Sequence, residues 1–134
     1  MKLGGQCHCG TIRYEIDGEN ITHALCHCRD CRRHAGAPMV GWAMFPADAV
    51  KTVRGQPKIY NSSEHGRRHF CAECGTGLFY INDHLLPGII DVQSGTLDEP
   101  DAIPPRLHIQ VAERIKWMER AHELPAVERF PGPG

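Results

Sequence analysis

The chain has 134 residues, of which 41% are hydrophobic and 23% charged, with a formal net charge of −1. That length suits one domain with a modest core, and the composition is neither disordered nor fibrous in type. The near-neutral balance offers no positive field for nucleic acid or an anionic membrane, and no apolar run approaches the roughly 20 residues of a membrane span.

Fourteen Gly and ten Pro favour short strands and many turns over long helices. The start, Met1 to Gln6, has no apolar signal segment, so a cytosolic setting is expected. Thr11 to Ile16 alternates polar and apolar, which predicts a strand with Ile12, Tyr14 and Ile16 on one face. Asp17-Gly18 ends it in a turn. Ile21 to Leu25 reads as a second strand that delivers Cys26. Arg29 to His34 suits one short helical turn, stopped by Gly36-Ala37-Pro38. Met39 to Phe45 is a mostly apolar strand expected to be buried on both faces. Val50 to Val53 and Lys58 to Asn61 are shorter strand candidates.

His65 to Phe70 leads into a cysteine pair and Leu78 to Ile81 leaves it. Ile89 to Gln93 is another strand. Leu97 to Pro105, with three prolines, reads as a loop, and Arg106 to Val111 as the last strand. Ala112 to His122 is expected to form a short helix. No internal repeat or low-complexity tract marks a second domain. The expected organisation is a single domain over residues 4–125 with a C-terminal tail over 126–134.

The seven cysteines carry the chemistry. They fall into three clusters: Cys7-x-Cys9, Cys26-x-Cys28-x-x-Cys31 and Cys71-x-x-Cys74. In a reducing cytosol, clustered thiols point to metal or catalysis before disulfides. Two pairs and a triple read as four plus three. Four thiolates close a structural zinc site, whereas three leave a coordination position free, as a catalytic zinc requires. Gly10 and Gly75 each follow the second cysteine of a pair, where a chelating turn needs positive φ. Two chelating pairs far apart in sequence can pin the N-terminal region to the middle of the chain. Buried free cysteines are a poor account of such clustering. Cys7 and Cys9 are too close for an unstrained mutual disulfide. A redox role for Cys71-x-x-Cys74 lacks its usual strand-and-helix context.

The triple admits two readings: an open site, or a closed one with His27, His34 or Asp30 as fourth ligand. An open thiolate-rich zinc prefers a soft fourth ligand, which suggests thiol chemistry. None of the nine histidines forms a recognised zinc motif; His8 and His27, between ligands, should point away from the metal. Arg29, Arg32 and Arg33 surround the triple, and Arg67 and Arg68 precede the last pair. They could grip a carboxylate-bearing ligand or lower nearby thiol pKa values, or simply form a solvated basic face.

The chain resembles the glutathione-dependent formaldehyde-activating family, which includes centromere-protein-V-like members. The residues that carry the likeness are Gly5-x-Cys7-His8-Cys9-Gly10, Cys26-His27-Cys28-Arg29-Asp30-Cys31-Arg32-Arg33, Tyr60 to Ser63, Arg68 to Leu78, Gly95-Thr96-Leu97-Asp98, and His108-Ile109 with Trp117. The resemblance implies a mainly β fold, a β-tent of small antiparallel sheets pinned by zinc. It assigns Cys7, Cys9, Cys71 and Cys74 to a structural zinc, and Cys26, Cys28 and Cys31 to a second, catalytic zinc. It implies two zincs per chain, glutathione as co-substrate, and small-molecule thiol and aldehyde partners. The reaction it implies joins formaldehyde and glutathione, the reverse of a carbon–sulfur lyase. Two further readings are a zinc-stabilised binding module for a protein or thiol ligand, and a redox thiol switch.

Overall fold

A computed structural model describes residues 1–132; the last two residues of the expected tail lie outside the described residues. Among the described residues ten strands fall into two sheets. The smaller holds β1 (Lys2–Gln6), β2 (Arg13–Asp17) and β5 (Val50–Arg54), in the order β1-β2-β5. The larger has the order β10-β3-β4-β9-β8-β7-β6. Its strands are β3 (Thr22–Cys26), β4 (Val40–Pro46), β6 (Lys58–Asn61), β7 (Arg67–Phe70), β8 (Gly77–Ile81), β9 (Ile89–Gln93) and β10 (Leu107–Ile109). Neighbouring strands run antiparallel, except that β10 lies parallel to β3. One short helix, α1 (Arg29–Ala35), follows β3. The fold is therefore mainly β, as the sequence implies, although the larger sheet has seven strands.

The two sheets lean together over one core. Ile12, Tyr14 and Ile16 are almost fully buried, the face that the alternation in β2 predicts. They meet Ala43, Phe45, Leu78, Phe79, Ile90 and Val92 of the larger sheet. Tyr14 packs edge-on against Phe79, with ring centroids 5.1 Å apart. Burying such rings is worth roughly 2–3 kcal/mol each by area. Strand β4 sits between β3 and β9. Its residues Val40, Trp42, Ala43 and Phe45 are buried, so both faces are covered in large part.

A second cluster lies on the other face of the large sheet. It holds Cys26, Cys31, Val40 and Trp42, with Cys28 and Tyr80 packed against it.

Two elements differ from the sequence expectation. Strand β1 was not expected, because Gly4-Gly5 weakens any strand signal. Gly5 is needed there: a Cβ would overlap the Tyr14 hydroxyl and come 2.6 Å from the Thr96 carbonyl oxygen. The expected helix over 112–122 is instead two 3-10 segments, Val111–Glu113 and Lys116–Glu123. Gln110 before them is left-handed and Arg120 is non-helical. None of their side chains is buried, so no core face stabilises a regular helix.

Candidate metal centres

The cysteines gather into the two groups that the spacing separates. Sulfurs of Cys7, Cys9, Cys71 and Cys74 all lie within 4.8 Å of one another, as do those of Cys26, Cys28 and Cys31. All seven are free thiols.

The four-sulfur group joins the two sheets. Cys7 and Cys9 occupy the turn between β1 and β2, and Cys71 and Cys74 the turn between β7 and β8. A glycine N–H closes each turn. The Gly10 N–H donates to the Cys7 carbonyl at 3.1 Å, and the Gly75 N–H to the Cys71 carbonyl at 2.8 Å. Gly10 and Gly75 have φ of 78° and 83°, where a side chain would be strained. Cys7 Sγ lies 3.7 Å from Cys9 Sγ, which lies 3.8 Å from Cys71 Sγ. A tetrahedron of Zn–S bonds of about 2.3 Å has edges of about 3.8 Å, so the donor set fits such an ion. Backbone N–H groups also point at sulfur: Ile12 to Cys7 at 3.3 Å and Cys74 to Cys71 at 3.5 Å. The Thr76 hydroxyl lies 3.2 Å from Cys74 Sγ, and this contact with the Thr76 backbone holds that thiol down to about 5.

The three-sulfur group is local. Cys26 ends β3, Cys28 caps α1 and Cys31 lies in its first turn. Cys28 Sγ accepts from the Cys31 N–H at 3.2 Å, so one sulfur serves as helix cap and candidate ligand together. Gly36, left-handed with φ 65°, closes the helix by donating to the Arg32 carbonyl at 2.7 Å. Cys26 Sγ and Cys31 Sγ are 3.8 Å apart, again the edge of a zinc–thiolate tetrahedron. No histidine or carboxylate joins this group among the described residues. Within this group Cys31 is the favoured thiolate. Hydrogen bonds from Cys26 and Cys28, with the Arg68 charge, hold it down to about 5, while its neighbour Cys26 is pushed up.

The residues considered as a fourth ligand lie elsewhere. His27 is fully buried, and its Nε2 faces His108 Nδ1 at 2.9 Å. His34 stacks on Tyr60 and meets Phe70 edge-on. Asp30 is exposed in the first turn of α1. The arginines separate as well. Arg68 is buried beside Cys31, whereas Arg67 turns outward onto the carbonyls of Ser63, Glu64 and Gly66. Arg32 Nε donates to the His27 carbonyl. Arg29 is held through its backbone N–H, 2.8 Å from Glu113 Oε1. Ile115 and Trp117 line a shallow groove with Arg32, Arg33 and Pro38 on the outside of α1.

The wall facing the triple joins Arg68 and Tyr60, which the sequence pointed to, with Tyr80, Asp91 and Met44, which it did not. Register aligns Tyr60, Arg68, Tyr80, Asp91 and Met44 across β6, β7, β8, β9 and β4. Tyr80 packs against Trp42. Burial, and then the charge of Cys31, pushes the Asp91 carboxyl up to about 6. An acid in the otherwise apolar run Ile89-Ile90-Asp91-Val92 was the available signal.

Residues 2–113 match the family model described as glutathione-dependent formaldehyde-activating enzyme. A Halomonas elongata protein named for glutathione-dependent formaldehyde activation is 28% identical over 130 residues, covering 89% of this chain and 81% of that one. An uncharacterized lyase of Schizosaccharomyces pombe is 30% identical over 111 residues, covering 72% of this chain and 80% of that one. The fold matches a structural-genomics crystal structure of a Rhodobacter sphaeroides protein with a TM-score of 0.62 at 23% identity, covering 81% of this chain and 99% of that one. Among the described residues no helix is long and apolar enough to cross a membrane. With the family model spanning all seven cysteines, the chain belongs to the glutathione-dependent formaldehyde-activating family.

Proposed function

We propose that the chain is a zinc-dependent carbon–sulfur lyase that joins glutathione and formaldehyde into S-(hydroxymethyl)glutathione and releases them in reverse. One observation carries this reading: beside a complete four-sulfur group stands a three-sulfur group that, among the described residues, no histidine, carboxylate or further cysteine joins. In this reading Cys7, Cys9, Cys71 and Cys74 hold a structural zinc, and Cys26, Cys28 and Cys31 hold the catalytic one. Zinc on the three thiolates would supply a free position for a soft ligand and keep a bound thiol as thiolate at neutral pH.

The chain's own residues do the rest. The fold of β3 into α1 holds three sulfurs on one side of the site, without closing it. Trp42 and Tyr80 form an apolar wall that limits water beside it. The reaction needs little covalent help: the sulfur attacks the aldehyde carbon, a C–S bond forms, and the carbonyl π pair moves to oxygen. That oxygen takes the proton given up by the thiol. Proximity and orientation are the main gain. A cytosolic setting, where seven thiols stay reduced, belongs to the same reading.

The test is binding through sulfur. With cobalt(II) in place of zinc, glutathione should change the visible spectrum of the three-sulfur centre. S-methylglutathione, which offers no thiolate, should bind much more weakly. Equal binding of the two would contradict coordination through sulfur.

A further inference from the structure

We propose that Arg68 sets the charge of the three-thiolate centre and so selects an anionic ligand over a neutral one at its free position. The inference rests on the reading above only in assigning a metal dication to the three sulfurs.

Strand alternation puts Arg68 and Arg67 on opposite faces of β7, Arg68 on the face that meets Cys31. Arg68 is 4% exposed. Its two terminal nitrogens lie 3.8 and 3.7 Å from Cys31 Sγ. Its guanidinium carbon sits 4.8 Å above the Tyr80 ring, which holds the fork against the site. A buried guanidinium requires an anion. Asp91 lies one strand beyond Tyr80 on the same face, yet forms no ion pair with Arg68. The Cys31 sulfur is the anion that Arg68 meets. His34, stacked on Tyr60, and Asp91 lie close enough to feel the charges of this pair but form no ion pair with Arg68, and Arg67 is turned onto backbone carbonyls.

The charge count follows. A dication on three thiolates carries one net negative charge, and Arg68 cancels it. A fourth, anionic sulfur then enters a neutral centre instead of a negative one. The four-sulfur group has no such cation: its sulfurs meet backbone N–H groups, Thr11 and Thr76, and among the described residues no Lys or Arg side chain hydrogen-bonds them. The buried cation thus stands at the group that is open, where a charged ligand must be admitted.

The experiment uses the full chain with cobalt(II) at both centres. Its visible bands are followed while glutathione, thiocyanate or imidazole is added to wild type, Arg68→Gln and Arg68→Lys. Arg68→Gln should weaken both anionic ligands at least about tenfold while imidazole changes less than about twofold, because a nearby buried charge acts only on charged partners. Arg68→Lys should restore most of the anion binding. If Arg68→Gln weakens anions and imidazole alike, or loses the second cobalt, Arg68 is a structural support and the inference falls. If it weakens neither, the inference also falls. A wild type that takes thiocyanate in an Arg68-dependent way but ignores glutathione would uphold Arg68's role while overturning the glutathione reading.

Discussion

Cys9 and Cys71 stand 62 residues apart in sequence, and their sulfurs lie 3.8 Å apart at the join of the two sheets. The three-sulfur group spans a single short segment from Cys26 to Cys31. A metal at the first group closes a long loop, and one at the second closes almost none, so the two should differ in their effect on folding.

Cys74→Ser should therefore unfold the chain or lower its melting temperature by more than about 10 °C, because loss of a structural zinc site is loss of folding free energy. Cys28→Ser should leave a folded protein that carries one metal instead of two. Thermal melts with metal analysis by native mass spectrometry check both. Equal melting of the two variants would contradict the division into a structural and a catalytic site.

The approach of β1 to β2 gives a second expectation. In Gly5→Ala the new methyl meets the Tyr14 hydroxyl and the Thr96 carbonyl, and backbone on one side cannot yield. Tyr14 is also held by a 2.7 Å hydrogen bond to Thr96. The substitution should cost about 2–3 kcal/mol in denaturant unfolding. A change under about 0.5 kcal/mol would show that β1 is not packed this tightly against Tyr14 and Thr96.

These two positions show what the sequence made legible. The two pairs and the triple were legible from spacing, because chelation within each is a local demand on chain geometry, whereas the fold brings the two pairs together. Ile12, Tyr14 and Ile16 were readable as one face because strand alternation is local too. Gly5 was not readable, since its need arises from Tyr14 and Thr96, which only the fold brings to it. Arg67 and Arg68 looked equivalent in sequence. Their opposite fates depend on which face of β7 meets α1 and the Cys31 sulfur. Asp91 was hidden for the same reason: register, not motif, sets it beside Tyr80. The short helix expected after β10 is absent because that segment has no core to face.

Asp91 yields a pH dependence. Its folded pKa, pushed up to about 6 by burial and then by the Cys31 charge, lies above the usual carboxylate value. Folding therefore favours the protonated acid. That stabilisation is fully present below about pH 4 and is lost as the pH rises through about 6. Wild type should thus lose up to about 3 kcal/mol relative to Asp91→Asn between pH 4 and pH 7. Unfolding free energies measured at the two pH values decide it. A constant difference between the two proteins would show that Asp91 is not held as a buried charge.

The central claim is catalysis at the three-sulfur centre, and NMR exchange of the hydroxymethyl signal tests it most directly. Formaldehyde and glutathione equilibrate without a catalyst, so the quantity to measure is the acceleration that the protein adds. Wild type should speed the exchange at stoichiometric or lower concentration. Cys31→Ser should abolish that acceleration while retaining the metal on Cys7, Cys9, Cys71 and Cys74. Equal acceleration by wild type and Cys31→Ser, or none by either, would contradict the account.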